Sequence, residues 1–282
     1  MISAMQDAFA YCADLVRQAD RDRFLAALFA PAERRSALHA LYAFNIEVRR
    51  VRDAAREPLP GEIRLQWWTD VLNGERRGEA DANPVAAALL ATIEQHGLSR
   101  AALLDLIEAH RFDLYDEPMA DLAALEAYAT ATSSVLFDLA AQILTGAGLE
   151  TAAGPAGIAS AVLHLLQAFP AHVAQHRLYV PLETLERHGV QEADIFAGQS
   201  SPELKAALAE LRGRARQHLA AVSAQVSEVP PAALPALLPL APVGPSLDRL
   251  DHCEPFAPSA LSPWRRQWLI WRASRHPARI AG

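Results

Sequence analysis

The chain has 282 residues, 51% of them hydrophobic, enough to bury a large core around an enclosed cavity. Its formal net charge of -7 disfavours non-specific nucleic-acid binding, which needs a clustered positive field, so no nucleic-acid partner is expected. Cys12 and Cys253 lie at opposite ends and form no CxxC or Cys/His cluster, which argues against structural zinc or a disulfide framework and fits a reducing cytoplasm.

No secretory signal is visible, because MISAMQDAFAYCADLV lacks a basic stretch ahead of an apolar one. No spanning helix is expected either: the longest apolar stretch, Val229 to Val243, is interrupted by Pro230, Pro231, Pro235, Pro239 and Pro242. Lys205 is the sole lysine, and with the abundance of alanine this suggests a GC-rich bacterial genome.

Apolar residues recur at spacings of three and four and no segment alternates with period two, so the fold is expected to be all-α, in a single domain over 1–282. Pro31 opens a long helix that Pro58 and Pro60 stop. A second covers GEIRLQWWTDVLNG, a third runs from Asn83 and Pro84 to Gly97, and Ser99 caps a fourth through ALLDLIEAHRFDLY. Helices are expected from Asp121 to Thr145, from about Gly157 to Gln175 with Pro170 inside, over PLETLERHG, and from Ser201 to about Gln225. The proline-rich segment 229–245 reads as an extended connector, and SPWRRQWLIWRASR, 262–275, as a terminal helix.

The stretch YAFNIEVRRVRD carries the chemical question. On a helix, Tyr42, Asn45 or Ile46, Arg49 and Asp53 share one stripe, flanked by Arg50 and Arg52. Arg49 and Arg50 either pair with Asp53 and Glu47 along the helix, or hold a phosphate or lipid headgroup directly. Farther along, His172 and His176 have the i, i+4 spacing of a zinc helix, with His164 two turns earlier, but HVAQH lacks the glutamate of HExxH and no third ligand is evident. No metal site is therefore assigned. Gln66, Trp67 and Trp68 read as packing residues, and Ser133 and Ser134 have no visible base.

FLAALFAPAERRSALHALYAFN resembles the opening of the squalene and phytoene synthases, where a phrase like LYAFCRxxDDxxD follows. The resemblance implies an isoprenoid-synthase-type helical bundle around a central apolar cavity. It also implies that the motif's carboxylates, which hold Mg2+ and a prenyl diphosphate, correspond here to Arg49, Arg50 and Asp53. The family's second aspartate cluster, in a phrase like NILRDVGEDARRGRxYLP, corresponds to HLLQAFPAHVAQHRLYVPLE, which puts Ala168, Ala171 and His172 at its acidic positions. Tyr42, Asn45, His164 and Tyr179 are then candidate cavity or ligand contacts. Arginine offers only donors and a positive charge, whereas Mg2+ takes oxygen ligands, so catalysis and a cofactor are not expected.

Within this family the chain is most similar to a non-catalytic branch that includes a mitochondrial assembly factor for respiratory complex I. That branch implies an assembly or scaffold role, a membrane-protein client resembling a complex I subunit, and a cavity that retains lipid or isoprenoid. The alternative is an active squalene- or phytoene-type prenyltransferase, which would need Mg2+. The terminal helix places Trp264, Trp268 and Trp271 near one face among arginines. It either closes the bundle or makes peripheral contact at the inner face of the cytoplasmic membrane.

Overall fold

The computed structural model describes residues 2–54, 57–115 and 117–282. Among these residues the secondary structure is helical throughout and no strand forms. The first elements are α1 (Ile2–Ala19), α2 (Arg21–Ala27), α3 (Ala32–Arg49), α4 (Val51–Ala54) and α5 (Pro58–Asn73). They are followed by α6 (Arg77–Ala82), α7 (Pro84–His96), α8 (Arg100–Arg111), α9 (Leu122–Ala129) and α10 (Val135–Thr145). Next come α11 (Ala153–Ala174), α12 (Leu182–Arg187), α13 (Glu192–Phe196) and α14 (Pro202–Gln225). The chain closes with α15 (Leu234–Leu237), α16 (Val243–Asp251) and α17 (Pro263–Arg275).

Side-chain caps set several of these boundaries by satisfying amide groups that a helix leaves unpaired. The Asn83 side chain accepts from the amides of Val85 and Ala86 at 3.0 Å, opening α7. Ser99, Asp121 and Ser201 cap α8, α9 and α14 in the same way. Gly74, Gly97 and Gly146 close α5, α7 and α10 in the left-handed conformation that glycine adopts without steric cost.

Three expectations are corrected. The long helix from Pro31 to Pro58 is interrupted at Arg50, whose amide reaches Ile46 O and Val48 O, and α4 resumes the path as a separate turn. The helix expected from Asp121 to Thr145 contains a π-helical segment, Thr130–Ser134, between α9 and α10. The proline-rich connector is not extended: it folds into the 3-10 turns Pro231–Ala233 and Leu238–Leu240 on either side of α15. Proline at the first positions of short turns removes no needed hydrogen bond, and winding the segment buries Leu237, Leu238 and Leu240.

At the centre, α11 packs along α14 and against the π segment, while α1, α3 and α7 form a neighbouring layer. By length and composition α11 could cross a membrane, but 61% of its apolar window is buried inside the bundle, where it serves as a core helix. Its close approach to the π segment depends on Gly157, where a Cβ would lie 2.1 Å from Ser134 N and 2.2 Å from Ser134 Cα. The Ser134 hydroxyl bonds Gly154 O at 2.8 Å across the same crossing. The extra residue of a π turn shifts the side chains that follow it, and Thr132 and Ser133 both line the interior cleft described next.

Candidate functional site

The interior cleft lies between α3, α8, the π segment and α11, opens to solvent and has a volume of roughly 90 Å3. The α3 stripe supplies Asn45 and Arg49, α2 supplies Arg23, and α11 supplies His164. Arg23 is held from below. Asp20, the N-cap of α2, accepts from the Arg23 amide at 3.2 Å and from its guanidinium at 2.8 Å. The guanidinium sits over the ring of Tyr42, 5.5 Å from its centroid, and that of Phe137, at 5.9 Å. Burial opposes the charge on Asp20, but Arg23 outweighs it, so the carboxyl titrates below its ordinary value.

The Arg49 side chain has no hydrogen bond or ion pair among the described residues, although its field reaches Asp20, Tyr128 and His164. His164 is exposed to the free space of the cleft, with protein packed around its sides. Burial, then the charges of Arg23 and Arg49, lower its pKa to about 4, so it is neutral at pH 7.

A second polar cluster adjoins the cleft. Asp113, 7% exposed, accepts from His110 Nδ1 at 2.7 Å, from the Tyr179 hydroxyl at 2.7 Å and from the Tyr128 hydroxyl at 2.9 Å. Burial alone would raise its pKa. The bonds from His110, Tyr179 and Tyr128 together prevail and keep the carboxylate below its ordinary range. Burial and the neighbouring Asp113 charge push both tyrosine hydroxyls above their ordinary value. His110 Nε2 is buried without a hydrogen-bond partner, and His110 lines the cleft.

The structure thus gathers Asn45, Arg49 and His164 around one cleft, with Tyr42 beneath Arg23 and Tyr179 on Asp113. It does not gather Arg50, which turns to an outer groove with Glu47, Arg64, Trp67 and Trp68. Asp53 is 67% exposed and pairs with Arg177 at 3.6 Å. Among the described residues no ion pair joins Arg49 or Arg50 to Asp53 or Glu47, and the helix is broken at Arg50 between α3 and α4. Ala168 is half-buried and Ala171 exposed. His172 packs against Tyr179 with the rings tilted and their centroids 4.6 Å apart; burial and Arg177 lower its pKa.

The expected one-face spacing of His172 and His176 is also corrected. Helix α11 ends at Ala174, and His176 lies beyond it at φ 55, exposed and beside Phe196. Among the described residues no three His, Cys, Asp or Glu side chains converge as metal ligands. The residues at the two motifs do not fit Mg2+: one carboxylate, Asp53, is present and it faces a guanidinium.

Sequence reasoning missed Arg23, Asp20, His110, Tyr128 and Arg177. The only visible signal was polar residues at helical spacing inside apolar runs, Asp20 with Arg23 and His110 with Asp113. The apolar space next to the cleft, lined by Leu165, Leu166, Phe169, Tyr179 and Leu211 among others, holds little more than a water molecule.

An all-α bundle with its polar cleft between facing helices is the architecture of the isoprenoid synthases. A dehydrosqualene synthase crystallised with a ligand superposes with a TM-score of 0.84, covering 97% of each chain at 18% identity. The squalene synthase HpnC from Alicyclobacillus acidocaldarius gives 0.71, over 96% of this chain and 94% of that one, at 22% identity. The family model for squalene/phytoene synthase matches residues 16–272, and the chain belongs to that family.

Among curated relatives, complex I assembly factor 6 from Homo sapiens is 29% identical over 230 residues, covering 81% of this chain and 69% of the relative. Its counterpart from Rattus norvegicus is 29% identical over 234 residues, covering 82% and 70%. The 15-cis-phytoene synthase of Synechocystis is more distant, 23% identical over 70% of this chain and 62% of its own.

Proposed function

We propose that this protein is a non-catalytic member of the squalene/phytoene synthase family that acts in the biogenesis of respiratory complex I, on a membrane-protein client of that complex. The observation that carries the reading is the charge at the cleft. Arg23 and Arg49 occupy its wall together with a neutral His164, and the one motif carboxylate, Asp53, is engaged by Arg177. At an effective dielectric near 20, a guanidinium about 5 Å from a divalent cation repels it by about 7 kcal/mol. The relatives named as complex I assembly factors support the same reading. So does the narrow apolar space beside the cleft, which would have to open before it could admit a prenyl chain.

The unpaired Arg49, with Asn45, Thr132 and Ser133 around it, suits an oxyanion such as a lipid phosphate held without metal. Incubating the purified protein with farnesyl or geranylgeranyl diphosphate and Mg2+ should release no pyrophosphate. Calorimetric titration with inorganic pyrophosphate should give the same affinity with Mg2+ and with a chelator. Release of pyrophosphate, or binding that requires Mg2+, would establish the transferase alternative instead. Deleting the gene should reduce assembled NADH dehydrogenase complex in the host's membranes, and an undiminished complex would remove the assembly role.

A further inference from the structure

We infer that the outward face of α17 docks the protein on the headgroup layer of an anionic membrane. The expectation that this helix closes the bundle holds for only one of its sides. Ile270 and Ala273 are fully buried, and Arg266 Nε bonds Asp22 of α2 at 3.0 Å. The opposite side carries Trp264, Trp268 and Trp271, exposed by 79%, 49% and 49%. With 3.6 residues per turn these three indoles fall within an arc of about 60°. In a folded chain large aromatic side chains pack inward, as Trp68 does here, so three on one outward face mark a surface built for contact.

The charge around the indoles selects the occupant. From Ser262 to Gly282 the chain carries Arg265, Arg266, Arg272, Arg275 and Arg279 and no acidic residue, although the whole protein has a net charge of -7. The guanidinium of Arg272 lies 4.9 Å from the centroid of the Trp268 ring, and that of Arg275 lies 6.0 Å from Trp271. Indoles settle at the level of lipid headgroups, and guanidinium groups beside them reach the phosphates, so one surface satisfies both. A second copy of this chain would instead bring arginines against arginines. The inference stands apart from the proposed function, since a membrane-bound transferase would need the same face.

Flotation of the full-length protein with vesicles of phosphatidylcholine alone, and with vesicles enriched in phosphatidylglycerol, tests the inference. Binding is expected to the anionic vesicles, with a shift of indole emission to shorter wavelength, and should fall as salt is raised. The triple substitution Trp264→Ser, Trp268→Ser, Trp271→Ser should abolish it. Arg265→Gln, Arg272→Gln, Arg275→Gln should weaken partitioning about a hundredfold. Circular dichroism melting checks that each variant is folded, and the arginine variant, which removes no fully buried side chain, keeps the test decisive if the tryptophan variant fails to fold. Failure of the unsubstituted protein to bind anionic vesicles overturns the inference, as does undiminished binding by a folded triple variant of either kind. A dimer that dissociates on tryptophan substitution, without vesicle binding, would assign the face to a second copy and overturn it equally.

Discussion

Replacing Asp113 by asparagine probes whether the cluster beside the cleft is held by a true carboxylate. Asp113 accepts from one imidazole and two phenols, and all three partners surround it in an interior from which water is largely excluded. An asparagine amide has one acceptor oxygen and offers N–H donors in place of the other, so the charge assistance is lost and at least one partner, a phenol or the imidazole, must reverse its bond and accept. Each such bond contributes about 1.5–3 kcal/mol, and breaking a buried ionic network typically costs about 3–5 kcal/mol. For a chain of 282 residues the unfolding entropy is about 0.6 kcal/mol per kelvin, so a loss of about 4 kcal/mol lowers Tm by about 7 °C. Thermal melting at neutral pH measures the shift, with Asp248→Asn on the exposed surface as a control. The carboxyl titrates below its ordinary value in the folded protein, so its contribution is complete above about pH 4 and disappears as pH falls through the folded value. The stability difference between the two proteins should therefore shrink in acid. If Asp113→Asn melts within a degree of the unsubstituted protein at neutral pH, Asp113 is not ionised in the fold and the reasoning fails.

Three further outcomes follow from particular contacts. Gly157→Ala places a methyl 2.1 Å from the Ser134 amide, where backbone and not a flexible side chain must yield; a loss of about 3 kcal/mol or more is expected by chemical denaturation. His39, stacked on Phe24 and buried, has its pKa lowered to about 4, first by burial and then by Arg35. Because the unfolded imidazole binds its proton near pH 6.5 and the folded one does not, stability should fall by about 3 kcal/mol between pH 6.5 and pH 4, and His39→Leu should remove that part of the slope in melts across the range. Arg49→Ala removes one of the cations facing His164, so a titration followed by NMR should find that imidazole protonated at higher pH, while burial keeps it below the ordinary histidine value; an unmoved titration would place Arg49 away from the cleft.

The sequence alone determined the helical class, most helix boundaries and the chemical character of the two altered motifs. These depend on local physics: apolar spacing, side-chain caps such as Asn83 and Ser201, and the inability of guanidinium or methyl groups to ligate a hard cation. Tertiary structure decided where those side chains went. Arg49 lines the cleft while Arg50 lines an outer groove, and packing of α11 on the π segment rests on a contact between Gly157 and Ser134. Asp113 acquires Tyr179 from 66 positions away, and Arg177 captures Asp53. Only the assembled body could reveal that Leu237 and Leu238 turn inward while Trp264, Trp268 and Trp271 turn out. An apolar residue's spacing tells which side of its own helix it occupies, but only the neighbouring helices decide whether that side meets protein or solvent.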